Sequence, residues 1–202
     1  MTSIILIVNP GDSQMGHSQA EKAQNRERIL AEASQQVRRD GLESVSVGPL
    51  MKTVGLTHGG FYGHFESRSA LLAEALERAL LEGDAKAKAQ AGDRPKTFSA
   101  LVRGYLSRDH RDNRDSGCAV AALVCDVGRA DLASREVMTS HIEAFVDAAA
   151  ETLGGDRGRA VLAVSALVGG LALSRVIADP ARSDAFLKAV RDHLNEEFAE
   201  AR

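Results

Sequence analysis

The chain has 202 residues, of which 44% are hydrophobic and 26% charged, the composition of an ordinary soluble globular protein. It contains only 4 prolines, and Ala and Leu dominate, which favours an all-helical fold. The net charge of -3 gives no indication of a nucleic-acid partner. The two cysteines and scattered histidines do not form a zinc-binding pattern, so no metal site or cofactor is expected.

Residues 1–14 differ from the sequence that follows them. Ile4 to Val8 form an apolar run that is too short to span a membrane and lacks the basic start of a secretory signal. We expect residues 1–20 to be an amino-terminal extension, either an edge strand or a disordered tail. An alternative is that Met15 is the natural translation start.

The first long helix is predicted over residues 21–40. Its buried stripe is expected to consist of Ile29, Leu30, Ala33 and Val37, and Gly41 ends it. Lys22, Arg26 and Arg28 lie near its start, where they would neutralise DNA phosphates as an amino-terminal arm. A solvated basic face is the alternative interpretation.

Residues 44–68 read SVSVGPLMKTVGLTHGGFYGHFESR. Ser46 stands at an N-cap position, where its hydroxyl could accept a backbone hydrogen bond, and Gly55 follows the helical spacing that ends at Val54. Thr57 is a second N-cap candidate, before a short helix over residues 58–64. Helix, glycine-containing turn and helix together predict a helix-turn-helix.

The second of these helices contains Gly59, Gly60 and Gly63, although each glycine costs a helix roughly 1 kcal/mol relative to alanine. A recognition helix can use glycine, because the backbone then approaches a phosphate or a base edge closely. Phe61 and Phe65, four residues apart, would anchor this helix to the core. The alternative is a glycine-rich loop with a buried aromatic pair.

The run G-L-T-x-G-x-F-Y-x-H-F, followed by E-S-R-x-x-L-L, resembles the DNA-binding signature of the TetR family of transcriptional regulators over about residues 26–80. The resemblance implies an all-α fold, with a three-helix DNA-binding domain and a carboxyl-terminal helical domain for ligand binding and dimerisation. By position it implies that DNA is met by Thr57, His58, Gly59, Tyr62 and His64. It also implies phosphate contacts from Ser46 and Arg68.

The sequence departs from the family pattern at two places. Gly48 and Pro49 occupy the first turn of the second helix, where polar or acidic residues are usual and proline is tolerated. His58 stands where Lys or Arg is common, so the contact there would be weaker or pH-dependent. Residues 15–68 contain seven Lys or Arg against six Asp or Glu, which is only a slight positive balance.

Four regions are therefore expected. Residues 1–20 form the extension, 21–68 the DNA-binding domain, 69–92 a connecting helix and 93–202 the ligand-binding and dimerisation domain. Within the last region, a helix over residues 96–107 is followed by an exposed polar loop at residues 108–117.

Cys118 and Cys125 lie seven residues apart in one apolar helical segment, about 10 Å by helix rise, which is too far for a disulfide without unwinding. Cys118 near the helix start could have a lowered thiol pKa, so a redox-sensing repressor is an alternative function. Buried apolar thiols are the commoner case.

Helix order and apolar faces predict a ligand pocket lined by Tyr105, Cys118, Leu123, His141 and Phe145. Few of these carry charge, which favours an apolar or aromatic small-molecule effector. His141 could equally be a satisfied, partly buried core histidine.

The last two helices are predicted over residues 157–178 and 181–198. The first has no charge between Arg159 and Arg175, so it borders on a membrane span, but its glycine pair and serines favour a core or dimer helix. The resemblance implies that both helices pair with those of a second subunit in a homodimer.

The favoured function is a cytoplasmic, ligand-responsive repressor that leaves a palindromic operator in double-stranded DNA when a small molecule binds. An enzyme is disfavoured, because the sequence shows no paired carboxylates, metal spacing, phosphate loop or nucleophile elbow. The third possibility is a helical interaction protein with weak DNA binding.

Overall fold

A computed structural model describes residues 11–92, 97–113 and 118–198, and these residues are almost entirely helical. The apolar run Ile4–Val8 lies outside the described residues. The α-helices are α1 (Gly11–Asp40), α2 (Val47–Thr53), α3 (Arg68–Ala91), α4 (Phe98–Tyr105), α5 (Arg108–Asp112), α6 (Ala119–Val127), α7 (Leu132–Thr152), α8 (Arg157–Val176) and α9 (Pro180–Glu197). Two 3-10 helices occupy Leu42–Ser44 and His58–Gly63.

The first helix is longer than the sequence predicts, because α1 begins at Gly11 rather than near residue 21. Its predicted stripe is confirmed at Ile29, Ala33 and Val37, which are fully buried, whereas Leu30 is only partly buried against the core. These side chains share one apolar core with α2 and with the apolar face of α3, which includes Leu71 and Leu76. The amino-terminal domain is thus a small three-helix unit completed by the first part of α3.

A second apolar core lies in the carboxyl-terminal half. It is built from α4, α7, α8 and α9, with Val102, Leu106, Leu167 and Leu171 fully buried. At Gly170 a Cβ would lie 3.0 Å from Val190 Cγ1, so the absence of a side chain lets α9 pack closely on α8. The expectation that small residues of α8 admit a neighbouring helix is confirmed at this position.

Helix α6 belongs to both cores. Val120, Leu123 and Val127 pack in the core shared with the amino-terminal domain, whereas Ala121 packs in the second core. At its end, Asp126 lies so close to the turn after α1 that a Cβ on Gly41 would be 2.6 Å from Asp126 Oδ2. A displacement of α6 therefore reaches the DNA-binding domain directly.

The predicted polar loop at residues 108–117 is wrong in its first half. Residues 108–112 form α5, because the Ser107 hydroxyl accepts a hydrogen bond from the His110 N–H at 3.1 Å and caps the helix. Arg111 is largely buried and donates to Asp184 Oδ1 of α9 at 2.7 Å. Residues 114–117 lie outside the described part of the chain.

One helix of the described residues, α8, is long and apolar enough to cross a membrane by length and composition, and 39% of its most apolar window is buried in this structure. Its inward face is part of the second core. The same pattern is produced by the core helix of a soluble protein.

Gly41→Ala is expected to lower the free energy of unfolding by about 1–3 kcal/mol, because φ is 88° and the methyl group would collide with Asp126. Urea unfolding followed by circular dichroism measures it. When Asp126 is also replaced by Ala, Gly41→Ala should lower the free energy of unfolding by a smaller amount, the part caused by the positive φ alone. Gly48→Ala is the control, since a Cβ there meets nothing within 4 Å and should leave stability unchanged or raise it. An equal loss in both Gly41→Ala backgrounds would show that the contact with α6 is unimportant.

Candidate nucleic-acid interface

The turn of the predicted helix-turn-helix forms as the sequence indicates. Gly55 has φ 72°, the left-handed conformation that closes α2, and Leu56 N–H donates to Met51 O at 2.8 Å. The Arg28 guanidinium donates to Val54 O, tying the end of α2 to α1. The orientation of the two helical segments is therefore fixed from both sides of the turn.

The second segment is a 3-10 helix rather than an α-helix. Its bonds run three residues back, as from Gly60 N–H to Thr57 O at 3.0 Å and from His64 N–H to Phe61 O at 2.9 Å. Ser46 and Thr57 stand at the N-cap positions in extended conformation, but neither hydroxyl makes a capping hydrogen bond, contrary to expectation. Both residues are exposed.

Aromatic packing holds this segment in place and confirms the predicted anchors. Phe61 is fully buried, and its ring stacks on that of Phe65 with centroids 5.7 Å apart. Tyr62 meets Phe61 edge-on at 5.2 Å and remains 68% exposed. The 3-10 helix therefore buries one aromatic side chain and presents the next to solvent.

The glycines of this segment are not required by packing. A Cβ at Gly59 or Gly63 would meet nothing within 4 Å. Gly59 and Gly63 are exposed, so their backbone is accessible to solvent beside the exposed side chains of Thr57, His58 and Tyr62. We call the exposed residues Thr57, His58, Gly59, Tyr62 and Gly63 the recognition surface.

His64 is less accessible than the residues of the recognition surface. It is half-buried, and within the described residues its Nδ1 has no hydrogen-bond partner. Burial, and then the charges of Lys22 and Arg26, lower the pKa of His64 below 6.5. The imidazole is therefore neutral at pH 7.

Two arginines predicted to meet phosphate already have partners within the chain. Arg26 Nη2 donates to both carboxylate oxygens of Glu74 at 2.7 and 2.6 Å, and its guanidinium lies 4.6 Å from the centre of the Phe65 ring. Arg68 donates to Val45 O at 2.8 Å and to Glu43 at 3.1 Å. Their contact with DNA stays a prediction, and each also holds the domain together.

Lys22 and Lys52 are exposed cations on α1 and α2. Lys22 is among the residues predicted to meet DNA, and Lys52 is not. The helical spacing predicts an exposed Lys52, because this residue follows Leu50 and Met51 of the buried stripe and so points away from the core.

Comparison with known proteins identifies the domain. Residues 29–75 match the family model of bacterial regulatory proteins of the tetR family. This chain carries a TetR-family DNA-binding domain. The resemblance stated for residues 26–80 is thereby confirmed over the residues that the family model matches. No curated protein sequence matches the chain.

Solved structures extend the TetR-family likeness beyond this domain. A TetR-family transcriptional regulator from Streptomyces coelicolor has a TM-score of 0.68 at 22% identity, covering 88% of this chain and 97% of its own. The reduced form of E. coli NemR has a TM-score of 0.69 at 18% identity, with 86% and 96% covered. A TetR-family regulator from Cytophaga hutchinsonii reaches 0.72 at 17%, with 90% and 98% covered. At these identities the likeness establishes the fold, which confirms the all-α class.

In the carboxyl-terminal domain, the structure brings together three of the five predicted pocket residues. Tyr105 donates its hydroxyl to Cys118 Sγ at 3.1 Å, and its ring lies 5.4 Å from that of Phe145. Leu123 is fully buried in the core shared with the DNA-binding domain. His141 lies at the interface with α3, with Nε2 3.6 Å from Asp84 Oδ1.

Both cysteines are free, as expected from their spacing. Cys118 is the half-buried N-cap residue of α6, and Cys125 is exposed. The phenol that donates to Cys118 is itself buried, and this burial, with the neighbouring sulfur, raises the pKa of Tyr105 well above 10.

His110, which the sequence analysis placed in an exposed loop, links α5 to α6. Its Nδ1–H donates to Tyr105 O at 2.7 Å, and its Nε2 accepts the Cys118 N–H at 2.9 Å. Arg175 donates to the backbone carbonyls of His110 and Arg111 at 3.0 and 3.1 Å. The neutral imidazole is therefore bonded at both ring nitrogens, and we call this arrangement the His110 link.

Burial is the largest factor that lowers the pKa of His110, and the charges of Arg175 and Lys86 add to it. In the unfolded chain His110 binds a proton near pH 6.5, whereas in the folded chain it does so only at lower pH. The contribution of His110 to the free energy of unfolding is therefore complete above pH 6.5 and falls as the pH decreases. His64 contributes in the same direction. The free energy of unfolding should thus decrease from pH 7.5 towards the folded-state pKa values.

His110→Gln should lower the free energy of unfolding at pH 7.5 by about 1–3 kcal/mol, because the part-buried Tyr105 O and Cys118 N–H lose the ring that bonds both of them. The substitution should also make the free energy of unfolding decrease less below pH 6.5, so that the contribution of His64 to that decrease remains. Urea unfolding from pH 5 to 8 measures both effects. His193→Gln is the matched control, since that imidazole is 82% exposed. A pH profile equal to that of the unsubstituted chain would contradict the role of His110.

Proposed function

We propose that this chain is a ligand-responsive repressor that binds a palindromic operator as a homodimer and leaves it when a small molecule binds the carboxyl-terminal domain. The observation that carries the proposal is the recognition surface, where Tyr62 is 68% exposed beside backbone without side chains. A protein of this kind acts in the cytoplasm. No catalytic role is assigned to any residue.

The proposed DNA contacts follow from what the recognition surface offers. Tyr62 and Thr57 supply hydroxyl groups and His58 an imidazole, all able to meet base edges or phosphates in the major groove. Backbone at Gly59 and Gly63 can approach the duplex closely, because no Cβ intervenes. Ser46, Lys22 and Lys52 are exposed and are the groups proposed for phosphate contact.

Dimerisation is proposed through α8 and α9. The outward face of α8 exposes Val161 (49%), Leu162 (59%), Leu173 (57%) and Val176 (80%). Such a stripe along one helix face is unfavourable in water and favourable against a second apolar helix. Twofold pairing of this face would present two recognition surfaces, which must lie about one DNA turn, roughly 34 Å, apart.

The proposed response to a ligand is a population shift transmitted by α6. A ligand that binds better to the conformation with separated DNA-binding domains weakens DNA binding. The extent is limited by the ratio of the ligand's affinities for that conformation and for the DNA-binding one. The cluster of Tyr105, Cys118 and Phe145 is the region proposed for an apolar or aromatic effector. It adjoins the start of α6, whose other end contacts Gly41.

The redox alternative rests on Cys118, and no contact in this structure favours it over ligand response. The interaction-protein alternative rests on the weak positive charge, the Gly48-Pro49 pair and His58. It predicts no preference for one DNA sequence over competitor DNA, whereas the repressor predicts a strong one.

Selection from a random duplex library should enrich a pseudo-palindrome. Tyr62→Ala should then weaken binding to that sequence by about tenfold or more, because an exposed contact group is lost without loss of core packing. Tyr62→Phe separates the contribution of the hydroxyl from that of the ring. Thermal unfolding should be nearly unchanged in both variants. An absence of any enriched sequence would overturn the repressor proposal.

Leu162→Glu combined with Leu173→Glu should convert the proposed dimer to a monomer, because two carboxylates would be buried in an apolar interface. Sedimentation velocity on the full chain measures the change. Leu81→Glu is the matched control, since Leu81 on α3 is as exposed as Leu162, at 59%. A dimer that persists in the double variant would place the interface elsewhere.

A further inference from the structure

A cleft of about 510 Å³ opens on the outer side of the carboxyl-terminal domain, between α4–α5 and α9. Its size lies within the range of small-molecule sites. None of the five pocket residues predicted from the sequence lines it. The lining comprises Arg103, Leu106, Ser107, Arg108, Asp109, Asp184, Ala185, Leu187, Lys188 and Arg191.

Some of the charged side chains that line this cleft form ion pairs within the chain, and others do not. Asp184 is already paired with Arg111 at 2.7 Å and with Arg108 at 2.6 Å. Lys188 is paired with Asp192 at 2.5 Å. Within the part of the chain that the structure describes, Arg103 on α4 and Arg191 on α9 form no ion pair.

These two arginines line the cleft from different helices, α4 and α9. The exposed carboxylate of Asp109 is the one lining anion without an ion pair among the described residues. The lining as a whole carries four cations against two carboxylates, in a chain whose net charge is -3. Ala185 gives the cleft an exposed apolar side chain, while Leu106 and Leu187 are buried beneath it.

We propose that this cleft binds a small organic anion, a carboxylate or a phosphate monoester with an apolar portion. The guanidinium groups of Arg103 and Arg191 would hold the anionic group, since planar forked donors match carboxylate and phosphate oxygens. The apolar portion would contact Ala185. This ligand class differs from the apolar effector expected at Tyr105 and Cys118.

An occupant of the cleft would also reach the DNA-binding domain. Ser107 lines the cleft and caps α5, and α5 carries His110, whose Nε2 accepts the N–H at the start of α6. The far end of α6 places Asp126 against Gly41. The anion is therefore assigned as an effector that acts through α5 and α6, and this part of the inference rests on the proposed repressor function.

Binding is tested on the full-length chain without DNA, by fluorine NMR of 4-fluorobenzoate. Line broadening is expected, with a dissociation constant of about 1 mM or below. The uncharged 4-fluorobenzamide has nearly the same shape and should not bind. Competition by phenyl phosphate and by benzoate distinguishes a preference for phosphate from one for carboxylate.

The double variant Arg103→Gln, Arg191→Gln should weaken 4-fluorobenzoate binding at least about tenfold without lowering the melting temperature, since neither side chain has an ion-pair partner to lose. Arg135→Gln is the matched control, because it removes one exposed charge from α7, away from the cleft, and should bind normally. Equal binding of the amide, unchanged binding by the double variant, or no binding of either anion at about 10 mM would each overturn the site.

The effector role is tested separately, on the DNA sequence enriched from the library. Benzoate or phenyl phosphate should weaken DNA binding by the unsubstituted chain and leave that of the double variant unchanged. Anion binding without any effect on DNA affinity would overturn the effector role. Failure to enrich any DNA sequence would refute the repressor proposal, while the NMR result would still decide whether the anion site exists.

Discussion

The structure depends on the burial of α3 on two sides at once. Towards its start, Leu71, Leu72, Ala75 and Leu76 complete the core of the DNA-binding domain. Further along, the same helix packs on α7, where Asp84 faces His141. Ser69 at its beginning donates to Asp131, the N-cap residue of α7, so the helix is held to the carboxyl-terminal domain near both ends. Because the first core also contains residues of α6 and α7, the core of the DNA-binding domain is completed by the carboxyl-terminal half of the chain.

Polar contacts determine how the shared helix sits against its neighbours. Arg78 of α3 pairs with Glu27 of α1 and with Glu82, while Arg38 of α1, whose side chain is only 8% exposed, pairs with Glu82 at 2.7 Å. Arg68 binds backbone carbonyls of the turn that precedes α2. Several of these groups are half-buried, so removing one partner would leave a charge poorly solvated. They fix the position of the helix-turn-helix relative to α3.

Much of the fold could be predicted from local patterns. The stripe of Ile29, Ala33 and Val37, the turn at Gly55 and the paired Phe61 and Phe65 each follow from spacing or from backbone preference, and each is confirmed. The type of the second helix was not predictable, since glycine content does not distinguish a 3-10 from an α-helix. Helix α5 was predicted as a loop because the sequence RDHRD is charged throughout, although Ser107 before it is a capping residue.

The candidate sites were less accessible to sequence reasoning, because they depend on which helices meet. Leu123 and His141 lie on apolar helix faces, as expected, but those faces turn towards the DNA-binding domain and α3 rather than towards Tyr105. Arg26 and Arg68 show the same limit. Their sequence positions suit phosphate contact, yet Glu74 and Val45 O already accept their hydrogen bonds.

The scarcity of free cations near the recognition surface has a consequence for how the protein would find DNA. Each phosphate neutralised by a protein cation releases counterions, and this release makes DNA affinity depend on salt and sustains sliding along unspecific sequence. With Arg26 and Arg68 engaged internally, Lys22 and Lys52 are left among the described residues as exposed cations proposed for that release. Such a protein would spend little time on unspecific DNA and would rely on base-edge and backbone contacts, so its occupancy would vary little with intracellular ionic strength.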